Sequence, residues 1–379
     1  MGTVYQLLTK AEDGKRSVAL VEDRKLLEYY QEDDTVDGIV GTIYLGRIER
    51  VLPDVKAAFV KIGLKQNGFL PIKESESFHR SPEGSKPLMS GEQVLVQAKK
   101  APKGGKGAFL TRDIALPGQY VLLMPCNRFV GLSKRIEDAA EREYAKKLGQ
   151  KITADRFGVI VRHAALFANE KDVQQEAETL WKLWSDLSAK AEVMKAPAVM
   201  HTEAPIADIL ERDYSARHEV ERSDDLEMWH QFNIERQVKE ALGRRVELKG
   251  GGSLIIDERE ALQTIDVNSG SAVKASSEMS LALEENLRAV PEIARQIRLR
   301  NLSGIILVDF IDMETDAERE KVLIAMEEAI ADDRVKNVIH GFTRLGLLEM
   351  TRKRTGDSLR DLLTTPCSKC CETGRLPNG

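Results

Sequence analysis

Cysteine is scarce in this sequence, with four residues in a chain of 379. Four are too few to hold a chain of this length together with disulfides. Three of them, Cys367, Cys370 and Cys371, lie in one C-terminal segment. Clustered thiols without a disulfide scaffold are typical of metal binding in a reducing compartment. We therefore expect a cytoplasmic protein.

Long hydrophobic runs are also absent. No apolar stretch approaches the roughly 20 residues that a helix needs to cross a bilayer. The N-terminus lacks the charged start, apolar stretch and small-residue cleavage site of a secretory signal. We therefore expect neither membrane insertion nor export.

An excess of basic residues is lacking too, since the net charge is −5. This argues against general coating by nucleic acid, but it does not exclude a local basic groove, because phosphate binding depends on where cationic side chains cluster. The length predicts two or three domains, and the 42% of hydrophobic residues allow substantial cores.

The predicted elements divide the chain into a β-rich first part and an α/β second part. Three short strands are predicted at 4–8, 17–21 and 26–30. About five more fall between residues 43 and 113, a rhythm typical of a small barrel.

The second part alternates helices and strands. A helix is predicted over 228–242, and a hairpin over 253–257 and 261–267. The nearly all-apolar strand at 304–311 is expected to be buried on both faces.

Two aspartates at strand ends form the clearest chemical motif, Asp266 in TIDVNSG and Asp309 in VDFIDM. Open α/β sheets bind ligands at the carboxyl ends of strands, so neighbouring strands would bring the two carboxylates together. Two close carboxylates repel unless a cation joins them or one is protonated. Mg²⁺ suits such a pair and can polarise a phosphodiester, and Asn268 could hold the scissile phosphate or orient the attacking water. The sequence alone leaves open that both aspartates merely terminate their strands.

The predicted barrel carries a basic loop and two aromatic side chains, Phe59 and Phe69. Four lysines lie within eight residues: Lys99, Lys100, Lys103 and Lys106. Small barrels bind single strands through aromatic side chains that stack on bases and cations that contact the backbone. The alternative is a pair of core phenylalanines and a solvated loop, but the combination favours RNA binding.

Cys367 and Cys370 form a Cys-x-x-Cys pair, which is half of the ligand set of a tetrahedral zinc site. Cys126 and Cys371 could complete the set within one chain. A symmetric dimer in which each chain contributes Cys367 and Cys370 satisfies the count more simply. The remaining alternative is reduced, unliganded thiols.

Other basic residues are weaker signals. Arg295, Arg298 and Arg300 in a predicted helix could line a phosphate path, although such runs are usually solvated faces. Arg162 and His163, at the end of an apolar strand, could bind a terminal phosphate or form an ordinary surface pair.

Taken together, these motifs resemble the bacterial RNase E/G family over essentially the whole chain. The resemblance is carried by nine segments in one order: GTIYLGR from Gly41, AAFV from Ala57, GFLP from Gly68, KGA from Lys106, TIDVNSG from Thr264, RLRNL from Arg298, VDFIDM from Val308, GLLEMTRKR from Gly346 and CSKC from Cys367.

The resemblance implies an α/β protein of several subdomains. An RNase H-like subdomain, split in sequence, receives an S1-type OB-fold barrel and a 5′-sensor as insertions. A DNase I-like α/β catalytic subdomain and a C-terminal zinc-link follow. The implied bounds are 1–38 and 201–243 for the RNase H-like subdomain, 39–115 for the S1-type OB-fold, 116–200 for the 5′-sensor, 244–362 for the catalytic subdomain and 363–379 for the zinc-link.

By motif match, the resemblance also implies the site residues. Asp266 and Asp309 would hold the catalytic Mg²⁺, with Asn268 assisting at the scissile phosphate. The residues that would contact RNA from the OB-fold are Phe59, Phe69, Lys100 and Lys106.

The resemblance implies two further sites. A pocket for a 5′-monophosphate would be formed by Gly118, Leu122, Arg162 and, where the family usually has threonine, His163. This departure would make 5′-end discrimination pH-dependent. Cys367 and Cys370 would form half of a Zn²⁺ site shared between two chains. Relatives usually continue beyond the cysteines, so we expect a homodimer rather than a higher oligomer.

The activity implied is Mg²⁺-dependent endonucleolytic cleavage of single-stranded, AU-rich RNA, leaving a 5′-phosphate and a 3′-hydroxyl. It would serve RNA processing and decay, including rRNA maturation and mRNA turnover. The alternative is an RNA-binding protein with weak or lost catalysis, but a binding module has no physical need for the Asp-Asn-Asp set. A metal-dependent phosphodiesterase acting on DNA or small substrates is disfavoured by the barrel and its lysine loop.

Overall fold

The computed structural model describes residues 4–33, 38–75, 88–102, 105–270, 280–365 and 367. The chain divides into two compact units, one formed by Met1–Glu32 with Glu219–Gly379 and the other by Asp33–His218. Within these described ranges, no helix is long and apolar enough to cross a membrane.

The first unit contains a four-stranded sheet with the order β14-β1-β2-β3. Its strands are β1 (Val4–Glu12), β2 (Lys15–Glu22), β3 (Lys25–Asp33) and β14 (Glu219–Ser223). The three predicted N-terminal strands are confirmed, and the turn between β1 and β2 has positive φ at both Asp13 and Gly14, as a tight hairpin requires. Strand β14 was not predicted, because Val220 is its only apolar residue and it is defined by parallel pairing with β1.

Helices α4 (Leu226–Gln231) and α5 (Ile234–Ala241) pack against this sheet through Trp229 and Ile234. The prediction of one helix over 228–242 is wrong. Asn233 adopts a left-handed conformation with φ of 52°, which interrupts the helical backbone and separates the two helices.

A six-stranded sheet with the order β15-β16-β17-β18-β20-β19 forms the rest of the first unit. Its strands are β15 (Arg245–Glu247), β16 (Ser253–Glu258), β17 (Gln263–Asn268), β18 (Gly304–Asp309), β19 (Asn337–Phe342) and β20 (Leu347–Arg352). The predicted hairpin is the antiparallel pair β16–β17. Strands β17 and β18 are parallel, with a helix in the connection between them.

The helices of this region are α6 (Leu281–Leu299), α7 (Asp316–Ile330) and α8 (Leu359–Leu363). Side chains of α6 and α7 share one hydrophobic core with the sheet, including Ile293, Val322 and Ile265. Thr315 and Glu318 form a capping box that sets the start of α7.

Strand β18 is buried on one face only, so the expectation of burial on both faces is wrong. Ile306 and Val308 are fully buried, whereas Ile305 is 50% exposed and Asp309 is exposed. Helices α6 and α7 pack on the face of the sheet that carries Ile306 and Val308. Strand β18 therefore alternates between buried and more exposed side chains in spite of its apolar sequence. This leaves an open face for Asp309.

The second unit begins with a closed five-stranded barrel, which confirms the predicted small barrel. Its strands are β4 (Ile43–Leu52), β5 (Ala57–Lys61), β6 (Gly68–Pro71), β7 (Gln93–Lys100) and β8 (Phe109–Thr111). They follow the order β4-β5-β6-β8-β7, and pairing of β4 with β7 closes the barrel. Strand β13 (Ala198–His201) adds to β4, and a 3₁₀ turn over Ile72–Ser75 follows β6.

The rest of the second unit contains a small sheet and helices. The sheet has the order β11-β12-β10-β9, with β9 (Leu116–Pro117), β10 (Val121–Met124), β11 (Val130–Leu132) and β12 (Gly158–Val161). The helices are α1 (Ala139–Thr153), α2 (Glu170–Val193) and α3 (Ile206–Tyr214), and His163–Phe167 form a 3₁₀ turn. The fold is thus mixed α/β with a closed barrel, while the RNase H-like, 5′-sensor and DNase I-like subdomain bounds stay predictions.

Candidate functional site

Two carboxylates lie side by side on the open face of the six-stranded sheet. Asp266 in β17 is directly opposite Asp309 in β18. In β17 the flanking Ile265 and Val267 are buried, so strand alternation places Asp266 and Asn268 together on the exposed face. The structure therefore brings together the three residues that the motif suggested.

The pair is electrostatically unfavourable without a counter-charge. Partial burial raises the pKa of Asp309, and the neighbouring carboxylates of Asp266 and Asp312 raise it further. Asn268 Nδ2 donates a hydrogen bond of 2.8 Å to Asp266 Oδ2, which orients that carboxylate. A cation between Asp266 and Asp309 would relieve the repulsion.

The donor set fits magnesium. Mg²⁺ is bound in proteins by one or two carboxylates and keeps several waters, which an exposed pair such as Asp266 and Asp309 permits. No group of three or more His, Cys, Asp or Glu side chains that could enclose a metal ion occurs among the residues that the structure describes. An open two-carboxylate site would take its remaining ligands from water and substrate.

The arginines of α6 do not line an open phosphate path. Arg298 is buried and donates to Glu28 Oε1 at 3.2 Å. Arg300 is 2% exposed and donates to Gln296. Arg295 binds Glu292 and a backbone carbonyl. The interpretations of these arginines as phosphate ligands or as a solvated face are both wrong.

The barrel presents a groove of about 1090 Å³ on its outer surface. Phe59, Phe69, Lys100 and Lys106 all line it, so the structure brings together the four barrel residues named from the sequence. The two rings are partly exposed, while the residues on either side of each are buried in the barrel. The alternative that both phenylalanines are core residues is wrong. Lys103 lies outside the described residues.

Sequence reasoning missed a third ring in this groove, Phe109 of β8. Lys100 Nζ lies 5.7 Å from the centre of the Phe109 ring. The signal was available in the sequence, because Phe109 alternates with Ala108 and Leu110, which are fully buried. A period-two pattern of this kind predicts an outward-facing Phe109.

A second cluster surrounds Arg162 at the end of β12. Its Nη1 donates to the carbonyl oxygen of Gly118 at 2.5 Å, and its Nη2 donates to Asp213 Oδ1 at 3.0 Å. Leu122 is partly exposed in β10, the antiparallel neighbour of β12. The structure thus brings Gly118 to Arg162.

The sequence did not single out the acidic residues that organise this cluster. The backbone N–H groups of Gln119, Tyr120 and Val121 donate to the Glu176 carboxylate at 2.5 to 2.9 Å. A Cβ at Gly118 would collide with that carboxylate, so the close approach requires glycine. Glu176 therefore holds the turn that follows Gly118.

Arg212 and Asp213 form the other side of the cluster. Arg212 donates to Asp213 Oδ1 at 3.2 Å and to the Pro117 carbonyl oxygen at 3.0 Å. Asp213 is therefore flanked by two guanidinium groups, those of Arg212 and Arg162, and it fixes the position of both.

His163 follows Arg162 on the 3₁₀ turn, and its ring meets that of Phe167 at 5.1 Å in a T-shaped arrangement. Burial lowers the pKa of His163, and the positive charges of Arg217 and Arg135 lower it further against the opposing effect of Glu141. The ring is neutral at neutral pH.

The cysteines are only partly described. Cys367 is exposed, while Cys370 and Cys371 lie outside the described residues. Burial raises the pKa of the Cys126 thiol to about 12, and the charge of Asp113 contributes to the increase. The thiol of Cys126 is therefore protonated at neutral pH in the metal-free protein, and the assignment of Cys367 and Cys370 as zinc ligands stays a prediction.

Comparison with known proteins identifies the family. The model of the ribonuclease E/G family matches residues 115–222 and 213–355, more than half of the chain. The chain belongs to the ribonuclease E/G family. This confirms the resemblance seen in its motifs, and the prediction of an enzyme of this type.

Within the family, the similarity to ribonuclease G extends over nearly the whole chain. Ribonuclease G of Salmonella typhimurium is 36% identical over 411 aligned residues, which cover 98% of this chain and 84% of that protein. Ribonuclease G of Haemophilus influenzae gives the same values. Ribonuclease E of Nostoc sp. is 34% identical, with 96% of this chain and 59% of that protein covered.

Proposed function

We propose that this chain is a Mg²⁺-dependent endoribonuclease that cleaves single-stranded, AU-rich RNA and leaves a 5′-phosphate and a 3′-hydroxyl. Its role would be RNA processing and decay in the cytoplasm, including rRNA maturation and mRNA turnover. The observation that carries the proposal is the direct opposition of Asp266 and Asp309 on the open face of a sheet. Membership of the ribonuclease E/G family supports the reaction class.

The residues of the pair prepare the site for a phosphodiester. Asp266 and Asp309 concentrate negative charge where an RNA phosphate must approach, so the site accepts substrate only with a cation between them. When bound there, Mg²⁺ would polarise the phosphodiester and neutralise developing charge. Asn268 Nδ2 donates a hydrogen bond that orients Asp266. The other N–H and the amide oxygen of Asn268 would then contact the substrate.

The groove on the barrel is the proposed binding surface for the single strand. Phe59 and Phe69 offer partly exposed rings for base stacking, and Lys100 and Lys106 offer cations for the backbone. Base stacking and backbone contacts both tolerate variation in the RNA sequence, as a nuclease with many RNA substrates requires.

The cluster at Arg162 is the proposed 5′-end sensor, with Gly118, Leu122 and His163 as its other members. Asp213 and the carbonyl of Gly118 hold the guanidinium of Arg162 in one orientation. A preset guanidinium binds a terminal phosphate at a lower entropic cost than a free side chain does.

A shared Zn²⁺ ion completes the proposal, with Cys367 and Cys370 of each chain linking a homodimer. Four thiolates in a tetrahedron form a common structural zinc site, and two-fold symmetry supplies the missing half.

A cleavage assay tests the proposal. Single-stranded AU-rich oligonucleotides carrying a 5′-monophosphate or a 5′-hydroxyl are incubated with the protein in Mg²⁺ or in EDTA. We expect internal cleavage only in the Mg²⁺ arm and faster cleavage of the monophosphorylated RNA. Binding without cleavage in both arms would favour the RNA-binding alternative, and competition by DNA as strong as by RNA would contradict the substrate class.

A further inference from the structure

The rings of Phe59, Phe69 and Phe109 form one row across three adjacent strands of the barrel. Phe59 is paired with Phe69 between β5 and β6, and Phe69 with Phe109 between β6 and β8. The ring centres are 6.0 Å apart in the first pair and 6.1 Å apart in the second. Even spacing along the row makes Phe109 equivalent in position to the two phenylalanines already assigned.

The third ring is not needed to fill the barrel. Ala108 and Leu110, on either side of Phe109, are fully buried and supply the interior contacts of β8. Phe109 is partly exposed and lines the same groove as the other two rings. A large apolar ring kept at the surface of a groove suits a ligand that has flat faces of its own.

The spacing of the rings determines whether the bases of a bound strand can remain stacked on one another. Bases stacked on one another along a strand are about 3.4 Å apart, little more than half the spacing of these rings. A strand that places one base on each ring must therefore have its bases separated from one another. Unpaired RNA can adopt such an arrangement, and proteins commonly read it in that form.

Cations accompany the row. Lys100 Nζ lies 5.7 Å from the centre of the Phe109 ring, and Arg50 and Lys106 line the same groove. An ammonium over the third ring, 5.7 Å from its centre, can contact the phosphate next to a base stacked on the opposite side of that ring.

We propose that Phe109 is a third base-stacking position, that Lys100 contacts the phosphate beside it, and that the groove binds three consecutive unpaired nucleotides. The inference rests on the proposed function, because it takes single-stranded RNA as the ligand. It adds a residue that contacts a base directly and a footprint of three bases.

The test measures binding of uridine trinucleotides with a 5′-hydroxyl, so that a 5′-end sensor makes no contribution. The full-length protein is used in buffer without Mg²⁺, and affinity is obtained by competition with a labelled oligouridine whose integrity is checked on a gel. We expect Phe109→Leu to raise the Kd about five-fold or more, the effect of losing one base–aromatic stack. Phe109→Tyr, which keeps the ring, should remain within about two-fold of wild type.

Trinucleotides with one abasic position identify the contact. In the wild type, removing any of the three bases should weaken binding. In Phe109→Leu, removal of one terminal base should have no further effect, because its stacking partner is already gone. Equal losses from all three abasic trinucleotides in wild type and variant would overturn the proposal.

The outcomes separate this inference from the proposed function. If Phe59→Leu and Phe69→Leu weaken binding but Phe109→Leu does not, only the third position is wrong. If none of the three has an effect, the barrel is not the RNA interface.

Two lysine variants test the role of Lys100 without changing the barrel core. Lys100→Gln should raise the Kd for the trinucleotide and reduce its salt dependence. Lys61→Gln changes an exposed lysine of β5 that does not line the groove, and should do neither. Equal salt dependence in both variants would contradict the role of Lys100.

Discussion

At the scale of single residues, the surroundings of His163 determine its charge within the Arg162 cluster, which is the proposed 5′-end sensor. Burial and the charges of Arg217 and Arg135 keep the pKa of this imidazole below its usual value, with Glu141 acting in the opposite direction. The ring is therefore uncharged at neutral pH and becomes a cation only as the pH falls below about 6.5. A charged ring next to Arg162 would attract a terminal phosphate.

We predict that preference for 5′-monophosphorylated over 5′-hydroxyl RNA rises in the wild type, relative to His163→Thr, as the pH falls below about 6.5. The reason is that protonation adds positive charge to the sensor only where the imidazole is present. The measurement is the ratio of cleavage rates for the two RNAs between pH 8 and pH 5.5 in both proteins. Titration of the phosphate itself, with a pKa of about 6, affects both proteins equally. Parallel pH profiles would show that His163 does not face the phosphate.

At the scale of elements, a buried carboxylate joins the N-terminal sheet to the helices of the first unit. Glu28 in β3 is 1% exposed, and it accepts hydrogen bonds from Arg298 in α6 at 3.2 Å and from Arg334, after α7, at 3.3 Å. The side chain of Arg298 is 7% exposed. A charge network of this kind is sensitive to removal of one partner, because the others remain buried.

We predict that Glu28→Ala lowers the free energy of unfolding by about 3–5 kcal/mol. The matched control is Glu12→Ala, which removes an exposed carboxylate paired with Lys10 at 2.9 Å and should change it by less than about 1 kcal/mol. Urea denaturation of both variants gives the comparison. Similar losses in the two would mean that the Glu28 network contributes no more than a surface pair.

Local patterns predicted the elements that carry their own signals. The β16–β17 hairpin and the barrel each follow from alternation and turn residues within the segment. Elements defined by distant partners were missed. Strand β14 exists through pairing with β1, and the break at Asn233 separates two helices whose apolar spacing is nearly continuous.

The candidate site shows the same division. The aspartates were recognisable as strand ends, but their opposition depends on β17 and β18 being parallel neighbours, which no local pattern states. Asp213 lies about fifty residues from Arg162 in sequence, and their hydrogen bond at 3.0 Å is a tertiary contact. The arginines of α6 were misinterpreted because the sequence of a basic run is the same whether its side chains are solvated or paired with buried acidic residues.

At the scale of the whole molecule, the proposed sites are distributed over both compact units. The aspartate pair lies in one unit, and the barrel groove and the Arg162 cluster lie in the other. Binding and cleavage should therefore be separable by mutation. Variants in the groove should act on affinity, and variants in the pair should act on the rate of the chemical step.

Assembly is predicted to depend on the Cys-x-x-Cys pair. Cys367→Ser or Cys370→Ser should abolish zinc binding and convert the homodimer into monomers, because each chain supplies two of the four thiolates. Cys126→Ser should retain both zinc and dimer, because the proposed shared site takes its thiolates from Cys367 and Cys370 alone. Light scattering with metal analysis of the three variants provides the measurement. A dimer that survives loss of zinc would show that other surfaces hold the chains together.

The central claim is that Asp266 and Asp309 together form the catalytic centre. The most direct measurement is the single-turnover rate of cleavage of a single-stranded AU-rich oligonucleotide in Mg²⁺, alongside its binding affinity, for Asp266→Asn and Asp309→Asn. A suitable control is Asp316→Asn, because the side chain of Asp316 is 98% exposed at the start of α7. We predict that both variants of the pair lose cleavage while keeping RNA binding, and that the control cleaves as the wild type does. Cleavage at the wild-type rate by either variant of the pair would contradict the account.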